Sequence, residues 1–526
     1  MKLKIWICNV FFISSLAYAQ SEKPPKDWHL QDRRGALNSE KAHQELLKGK
    51  QGRKIIVAVI DSGVDIEHED LKDVIWTNPN EIPNNGIDDD KNGYVDDIHG
   101  WNFLGNPKKE NISQDTYELT REYVRLSKKY AKTKSSKKPE FAYWEQIKKD
   151  FEAKKQEFEM QMALIKPMYE NALQYEKILK DALKVNEITA SDVEDFEPST
   201  EEQNQAKEGY LGLLKFGVTT SDLKDYVQYL EKGLKYGYNP EFNPRPLVGD
   251  NPKKLKEKGY GNNDVKGPDA EHGTHVAGII AANRENNIGI KGVASNVLIM
   301  PIRAVPDGDE RDKDIANAIY YAVDNGAHII NMSFGKSYSP QKDYVDQAVQ
   351  YAESKGVLLI HAAGNDAKDL EKENNFPNRF ITKTKKEVSN WLEIGACGWK
   401  SKNDEFVASF SNYGKTKVHV FSPGVDIYAP VPHFNQYKYN SGTSMAAPAT
   451  TGVAALIMSY FPNLTAQEVK EIILQSSTKI TEKVNMPGKK GANYNLSDLC
   501  ITGGVVNAYE AIKLAEKKSK EKGNSQ

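Results

Sequence analysis

The 526-residue chain has room for one large domain or about two to three ordinary ones. Its 71 lysines and arginines against 73 aspartates and glutamates leave a formal charge of −2, with the two signs interleaved. No global field therefore points to nucleic acid or to an anionic membrane as a partner.

The first residues, MKLKIWICNVFFISSLAYA, combine lysines at the start, a short apolar run from Ile5 to Leu16, and Ala17-Tyr18-Ala19 as a small-residue cleavage pattern. This predicts a secretory signal peptide over 1–19. The run is too short for a permanent membrane helix, and no later run reaches the roughly 20 apolar residues that spanning needs. The mature chain is expected to be exported, to a periplasm or outside the cell, with no integral membrane segment. Cys8 leaves with the signal. Cys397 and Cys500 remain, open to one disulfide or to two buried thiols.

A polar, helix-prone stretch over 27–53 leads into the β-branched run Lys54 to Ile60, which predicts a strand buried on both faces of a parallel sheet. Asp61-Ser62-Gly63 ends it, placing an acid at the carboxyl edge where open α/β sheets build their sites. The next loop contains NNGIDDDKNGYVDD. Asp88, Asp90 and Asn92 at alternating positions, Gly93 for a sharp turn, the Tyr94 carbonyl and Asp96 follow the first nine positions of a calcium loop, so Ca2+ is expected there. At the twelfth position His99 replaces the usual glutamate, and Asp97 is an alternative ligand.

From 107 to 259 the composition turns to lysine, glutamate, glutamine and aromatic residues. Phe151, Phe158, Ile165 and Ala172 recur every seven residues, which predicts long amphipathic helices forming an inserted hairpin or small bundle. Pro167 is expected to kink the longest.

Beyond the insertion, His272 stands before Gly273 and an apolar, small-residue segment, which places an imidazole at a helix start; His275, one turn in, reads as a packed structural histidine. Two strand-like runs, 297–303 and 327–332, flank an amphipathic helix from about Asp312 to Asp324, a βαβ unit. Another strand over 356–361 delivers Ala362-Ala363-Gly364-Asn365. In YNSGTSMAAPATTGVAALI, Ser444 opens a helix whose apolar composition predicts burial all round. Partial positive charge collects at such an entrance and suits an oxygen that attacks a carbonyl. Pro448 reads as part of the helix start, where its missing N–H has no partner to lose. The tail over 516–526 is charged and expected to be disordered.

Four motifs now stand in order: IDSGVD, HGTHVAG, AAGN and GTSMAAP. Together they resemble the subtilisin-like serine proteases, over roughly 27–106 and 260–515. The resemblance implies a three-layer α/β fold with a mainly parallel central sheet, interrupted by the helical insertion. It implies an Asp61, His272, Ser444 triad with Asn365 as oxyanion donor, acting on polypeptide substrates. Ser333, Phe334 and Gly335, with Ala363 and Gly364, then match substrate-lining segments that pair their backbone with an extended peptide. Asp70 matches a calcium-site position of the family. The Ala449-Thr450-Thr451 that follows Pro448 departs from the histidine and small apolar residues many members carry, a difference not expected to reach the nucleophile.

Overall fold

This computed structural model describes residues 23–524 apart from 401 and 490; the expected signal peptide lies outside the described residues. In chain order the main elements are β1 (Ile55–Asp61), β2 (Trp101–Asn102), α1 (Glu118–Tyr130), α2 (Pro139–Leu183), α3 (Ala190–Asp195), α4 (Glu201–Lys215), α5 (Thr220–Lys232) and α6 (Glu271–Ala281). They continue with β3 (Val297–Arg303), α7 (Asp312–Asp324), β4 (Ile329–Met332), α8 (Lys342–Ser354), β5 (Leu358–Ala362) and β6 (Trp391–Cys397). The last are β7 (Val420–Pro423), β8 (Ile427–Val431), β9 (Gln436–Asn440), α9 (Thr443–Tyr460), α10 (Ala466–Gln475), β10 (Thr478–Lys479), β11 (Gly504–Val505) and α11 (Ala508–Gly523).

Nine strands join one sheet in the order β10-β11-β7-β6-β5-β4-β1-β3-β2. Every pairing is parallel except β10 with β11. The run that looked buried on both faces is so because helices cover both. On β1, Ile55, Val57 and Val59 enter a core with α6 and α9, whereas Ala58 and Ile60 enter a second core with α7 and α8. This is the period-two alternation of a strand between two helical layers. α9 is buried almost throughout, as its composition requires. Cys397 and Cys500 are both buried free thiols. Among the described residues no helix is long and apolar enough to cross a membrane.

Residues 119–242 form a compact unit of their own. The flanks of the stretch read as insertion belong instead with the sheet: Arg245 is buried between Asp250 and Asp314 of α7, at 2.6 Å from each. Within the helical unit, Phe151, Phe158, Ile165, Ala172 and Leu179 are the buried stripe of α2. Ile165 and Ala172 pack with Leu223 and Val227 of α5, and Leu179 packs with Ala206 and Tyr210 of α4. Thr189, Thr200 and Thr219 cap the following helices by accepting an N–H three residues on. α2 continues as one helix through Pro167.

The charged end expected to be disordered is helical to Gly523. Lys522 reaches Glu468 of α10 at 2.7 Å, and Lys520 pairs with Glu516 one turn back. Alanines 508, 511 and 515 and Ile512 seat the start of the same helix in the core, so its last turns extend from an anchored element.

Candidate active site

Asp61 ends β1 in register with Arg303 of β3, at the carboxyl edge of the sheet. Its carboxylate is 2% exposed and accepts two hydrogen bonds at 2.7 Å, from the Ser62 N–H and from His272 Nδ1. α6 approaches this closely because Gly273 lacks a side chain: a Cβ there would collide with the Gly63 carbonyl and lie 3.1 Å from Asp61 Cβ. Desolvation opposes a charged imidazole at His272, but the charge and hydrogen bond of Asp61, helped by Asp269 and Glu271, outweigh it. The pKa of His272 is therefore raised above its usual 6.5. His275 is a packed histidine: Nε2 meets the Ile427 and Lys438 carbonyls at 3.0 and 3.1 Å, and burial lowers its pKa to about 3.

Ser444 is the second residue of α9, and the way it is held differs from the sequence reading of Pro448. Because the helix begins at Thr443, Pro448 withholds the N–H that would have bonded the Ser444 carbonyl. Ser333 Oγ takes that place, donating to the Ser444 carbonyl at 2.9 Å. Behind it runs a buried chain in which Thr451 Oγ1 donates to Asn331 Oδ1 and Asn331 Nδ2 donates to Ser333 Oγ, each at 2.9 Å. Thr451 does not touch Ser444, but it is linked to the Ser444 carbonyl through two intermediates, Asn331 and Ser333.

Asn365 is fixed from the same helix. Its Oδ1 accepts from the Thr443 N–H and hydroxyl, both at 2.9 Å, which commits Nδ2 to the other side. A Cβ built on Gly442 would stand 3.4 Å from Asn365 Nδ2 and 3.5 Å from the Ser444 nitrogen. Two N–H donors therefore flank one small space that only a glycine leaves open. The Ser444 hydroxyl donates to the Ser333 carbonyl at 3.0 Å, and among the described residues no hydrogen bond joins it to His272. Attack requires it to leave that carbonyl by rotating about χ1, and such bonds commonly tighten only once substrate is bound.

The other residues matched to substrate-lining segments gather at the carboxyl ends of β4 and β5. Ser333 is buried, Phe334 is half-buried with its ring edge-on to His361 at 6.3 Å, and Gly335 faces the Asn375 side chain. The Ala363 carbonyl is taken by Asn412 Nδ2 and Asn375 Nδ2 at 2.8 and 3.0 Å, and the Gly364 N–H donates to Thr443 Oγ1 at 3.0 Å. Sequence reasoning gave no role to Thr443, Asn331, Thr451 or Asn375: Thr443 meets Asn365 78 positions away, Thr451 meets Asn331 120 positions away, and Asn375 reaches the Ala363 carbonyl 12 positions back with no local pattern to mark it. Nor did it give one to Asn412, whose Nδ2 reaches the Ala363 carbonyl 49 positions away.

The acidic loop is arranged differently from the calcium-loop expectation. Asp88 accepts from the Asn92 and Gly93 N–H groups, and Asp96 from those of Asn85 and Gly86. Asn92 Oδ1 accepts the Tyr94 N–H at 2.8 Å. Of the five expected ligands only Asp90 joins a carboxylate cluster, and its companions are Glu81 and Asp97. Burial pushes the Asp97 carboxyl up to about 6 and raises that of Glu81. Asp70 accepts from Asn286 Nδ2 and from the Ile290 N–H.

The chain thus presents an acid holding an imidazole, a serine at a helix entrance and two N–H donors around one space. Residues 52–496 match the subtilase family, and the chain belongs to it. A thermophilic serine proteinase from Bacillus sp. (strain AK1) is 39% identical over 231 residues, covering 44% of this chain and 52% of that protein. Subtilisin DY from Bacillus licheniformis is 34% identical over 211 residues, 40% of this chain and 71% of that protein. Among solved structures, proteases from Pseudoalteromonas arctica align over 93% of this chain and 97% of theirs, with 20% identity and a TM-score of 0.46. The chain spans about half the length of the first two curated relatives it matches.

Proposed function

We propose that this chain is an exported serine endopeptidase that hydrolyses peptide bonds of polypeptide substrates through an acyl-enzyme intermediate. The observation that carries the proposal is the 2.7 Å link from Asp61 to His272 on α6, a helix that shares a core with α9, whose entry serine has its N–H on the same space as Asn365 Nδ2. In the reaction His272 takes the proton of the Ser444 hydroxyl as Oγ bonds to the scissile carbonyl carbon. Asp61 fixes the ring so that Nδ1 donates and Nε2 accepts, and it stabilises the imidazolium. Asn365 Nδ2 and the Ser444 N–H receive the oxyanion. As the C–N bond breaks, His272 gives its proton to the leaving amine; water, deprotonated in turn by His272, then releases the acyl group from Ser444. Backbone groups at 333–335 hold the peptide as an extended strand, and Ala363 and Gly364, whose backbone groups are bonded within the chain, line the site beside it.

Export, to a periplasm or the outside, rests on the signal-like first 19 residues. Structural calcium is part of the same proposal, in keeping with a family that commonly binds it. The test is cleavage of a peptide library and of a casein-like protein by the full chain and by Ser444→Ala. The proposal expects both activities to fall by about 10⁴-fold or more, the size typical of triad hydrolases, with an unchanged circular dichroism spectrum. Equal cleavage by the two proteins overturns it.

A further inference from the structure

Arg303 ends β3 in register with Asp61 and is 1% exposed. Other inward-facing arginines have carboxylates against them: Arg245 meets Asp250 and Asp314 at 2.6 Å, and Arg311 meets Asp115 at 2.8 Å. Among the described residues Arg303 has no acid at ion-pair distance. Its donors go to neutral oxygens instead: Nε to the Ser62 carbonyl at 2.9 Å, Nη1 to Asn102 Oδ1 at 3.2 Å and Nη2 to the Ile112 carbonyl at 2.5 Å. Burial pulls its pKa down to about 10, with the charges of Asp264 and Asp269 acting the other way, so the group is a cation at neutral pH.

A buried charge with only neutral partners is unfavourable, and this one lies under the acid of the proposed triad. The Ser62 backbone is used twice. Its carbonyl accepts from Arg303 Nε, and its N–H donates to Asp61 Oδ1, the oxygen that also accepts from His272 Nδ1, both at 2.7 Å. Asp61 Oδ2 is buried with no hydrogen-bond partner among the described residues, so within the chain the carboxylate is oriented through Oδ1. The loop that leads to His272 rests on the same arginine. A Cβ on Gly267 would lie 2.3 Å from Arg303 Nε and 2.6 Å from Cδ, and the Gly267 N–H is fixed by Asp264 Oδ1 at 3.0 Å.

We infer that Arg303 is a positioning residue for the Asp61–His272 pair: it holds the Ser62 turn and the loop before His272 together, and through Ser62 it aims the Asp61 carboxylate at Nδ1. It touches neither substrate nor the reacting atoms. A planar guanidinium suits the task because its rigid fork of donors can fix several segments at once. Asn102 and Ile112 tie the same fork to β2 and to the chain beyond it. The kinetic part of the test rests on the peptidase reading; the spectroscopic part does not.

The spectroscopic part uses the full chain carrying Ser444→Ala, so that self-cleavage is absent. The His272 Nδ1 proton, bonded to Asp61, is followed by NMR as a far-downfield resonance, assigned by its absence in His272→Ala. Arg303→Gln is expected to move it upfield or lose it to solvent exchange, whereas Arg303→Lys, which can still donate to the Ser62 carbonyl, is expected to keep it. With Ser444 restored, Arg303→Gln should lower kcat by at least about tenfold while KM stays within about twofold, and Arg303→Lys should recover most of that loss. An unchanged resonance in folded Arg303→Gln overturns the inference, as does a variant that melts earlier but keeps the parent's kcat. If the parent cleaves nothing, the peptidase reading falls and the resonance alone decides. Should Arg303→Gln fail to fold, Gly267→Ala, whose methyl displaces the guanidinium, is expected to shift the same resonance, and an unchanged one overturns the inference.

Discussion

The serine turn and the acidic loop both gather polar side chains within a few ångströms, but they settle them in opposite ways. At the serine turn, the atoms that orient Ser444 and Asn365 have partners within the chain: Ser333 on the Ser444 carbonyl, Asn331 and Thr451 behind it, Thr443 on the Asn365 amide. In the acidic loop, neutral amides hold Asp90 and Asp97 in place, yet a buried oxygen of Glu81 has no partner among the described residues. Neutral hydrogen bonds suffice to position a nucleophile. Three like charges call for an opposite charge, and among the described residues no lysine or arginine pairs with these three.

The comparison is broken most severely at Gly442. Its backbone is extended, with φ at 164°, so alanine is tolerated there, and its methyl would meet nothing closer than 3.4 Å. That methyl fills the space between Asn365 Nδ2 and the Ser444 N–H. Gly442→Ala should fold normally and lose about 10²–10³-fold in kcat, as for a missing oxyanion donor; melting curves and steady-state kinetics check both halves. The loop gives the next effect. Calcium at about 100 times its dissociation constant should add about 2.7 kcal/mol to the unfolding free energy of Ser444→Ala, and excess chelator should abolish that increment in chemical denaturation.

Thr451→Val gives the smallest effect and sharpens the contrast. It strands Asn331 Oδ1 in the core, which costs about 1–3 kcal/mol of stability. Through the loosened Ser333 link it should lower kcat by less than about tenfold. A variant with normal kcat and lowered stability would confine Thr451 to packing.

What could be read from the sequence follows from the range of the forces involved. β1 was legible because a continuous β-branched run marks a strand buried on both faces, and α7 because a period of about four residues records which face a helix buries. Asp61, His272, Asn365 and Ser444 could be singled out because each sits in a motif of contiguous residues. The hydrogen-bond chain behind Ser444 was not, since Thr451 and Asn331 are 120 positions apart and a threonine in an apolar helix carries no sign of its partner. The acidic loop was legible only in part for a related reason: alternating acids resemble a ligand series, but which of them accept backbone N–H groups, as Asp88 and Asp96 do, and which meet a distant acid, as Asp90 meets Glu81, is set by the turn geometry. Likewise, Pro448 became a means of freeing the Ser444 carbonyl only because the helix starts earlier than its sequence suggested.

The central claim is that Asp61 and His272 act together to make Ser444 a nucleophile. Its most direct measurement is the rate at which a fluorophosphonate labels the Ser444 peptide, followed by mass spectrometry as a function of pH. Labelling should rise with pH through a midpoint above 6.5, because the base must be neutral and Asp61 holds its proton on more tightly, and it should vanish in a folded His272→Ala. A pH-independent rate, or unchanged labelling in His272→Ala, would contradict the account.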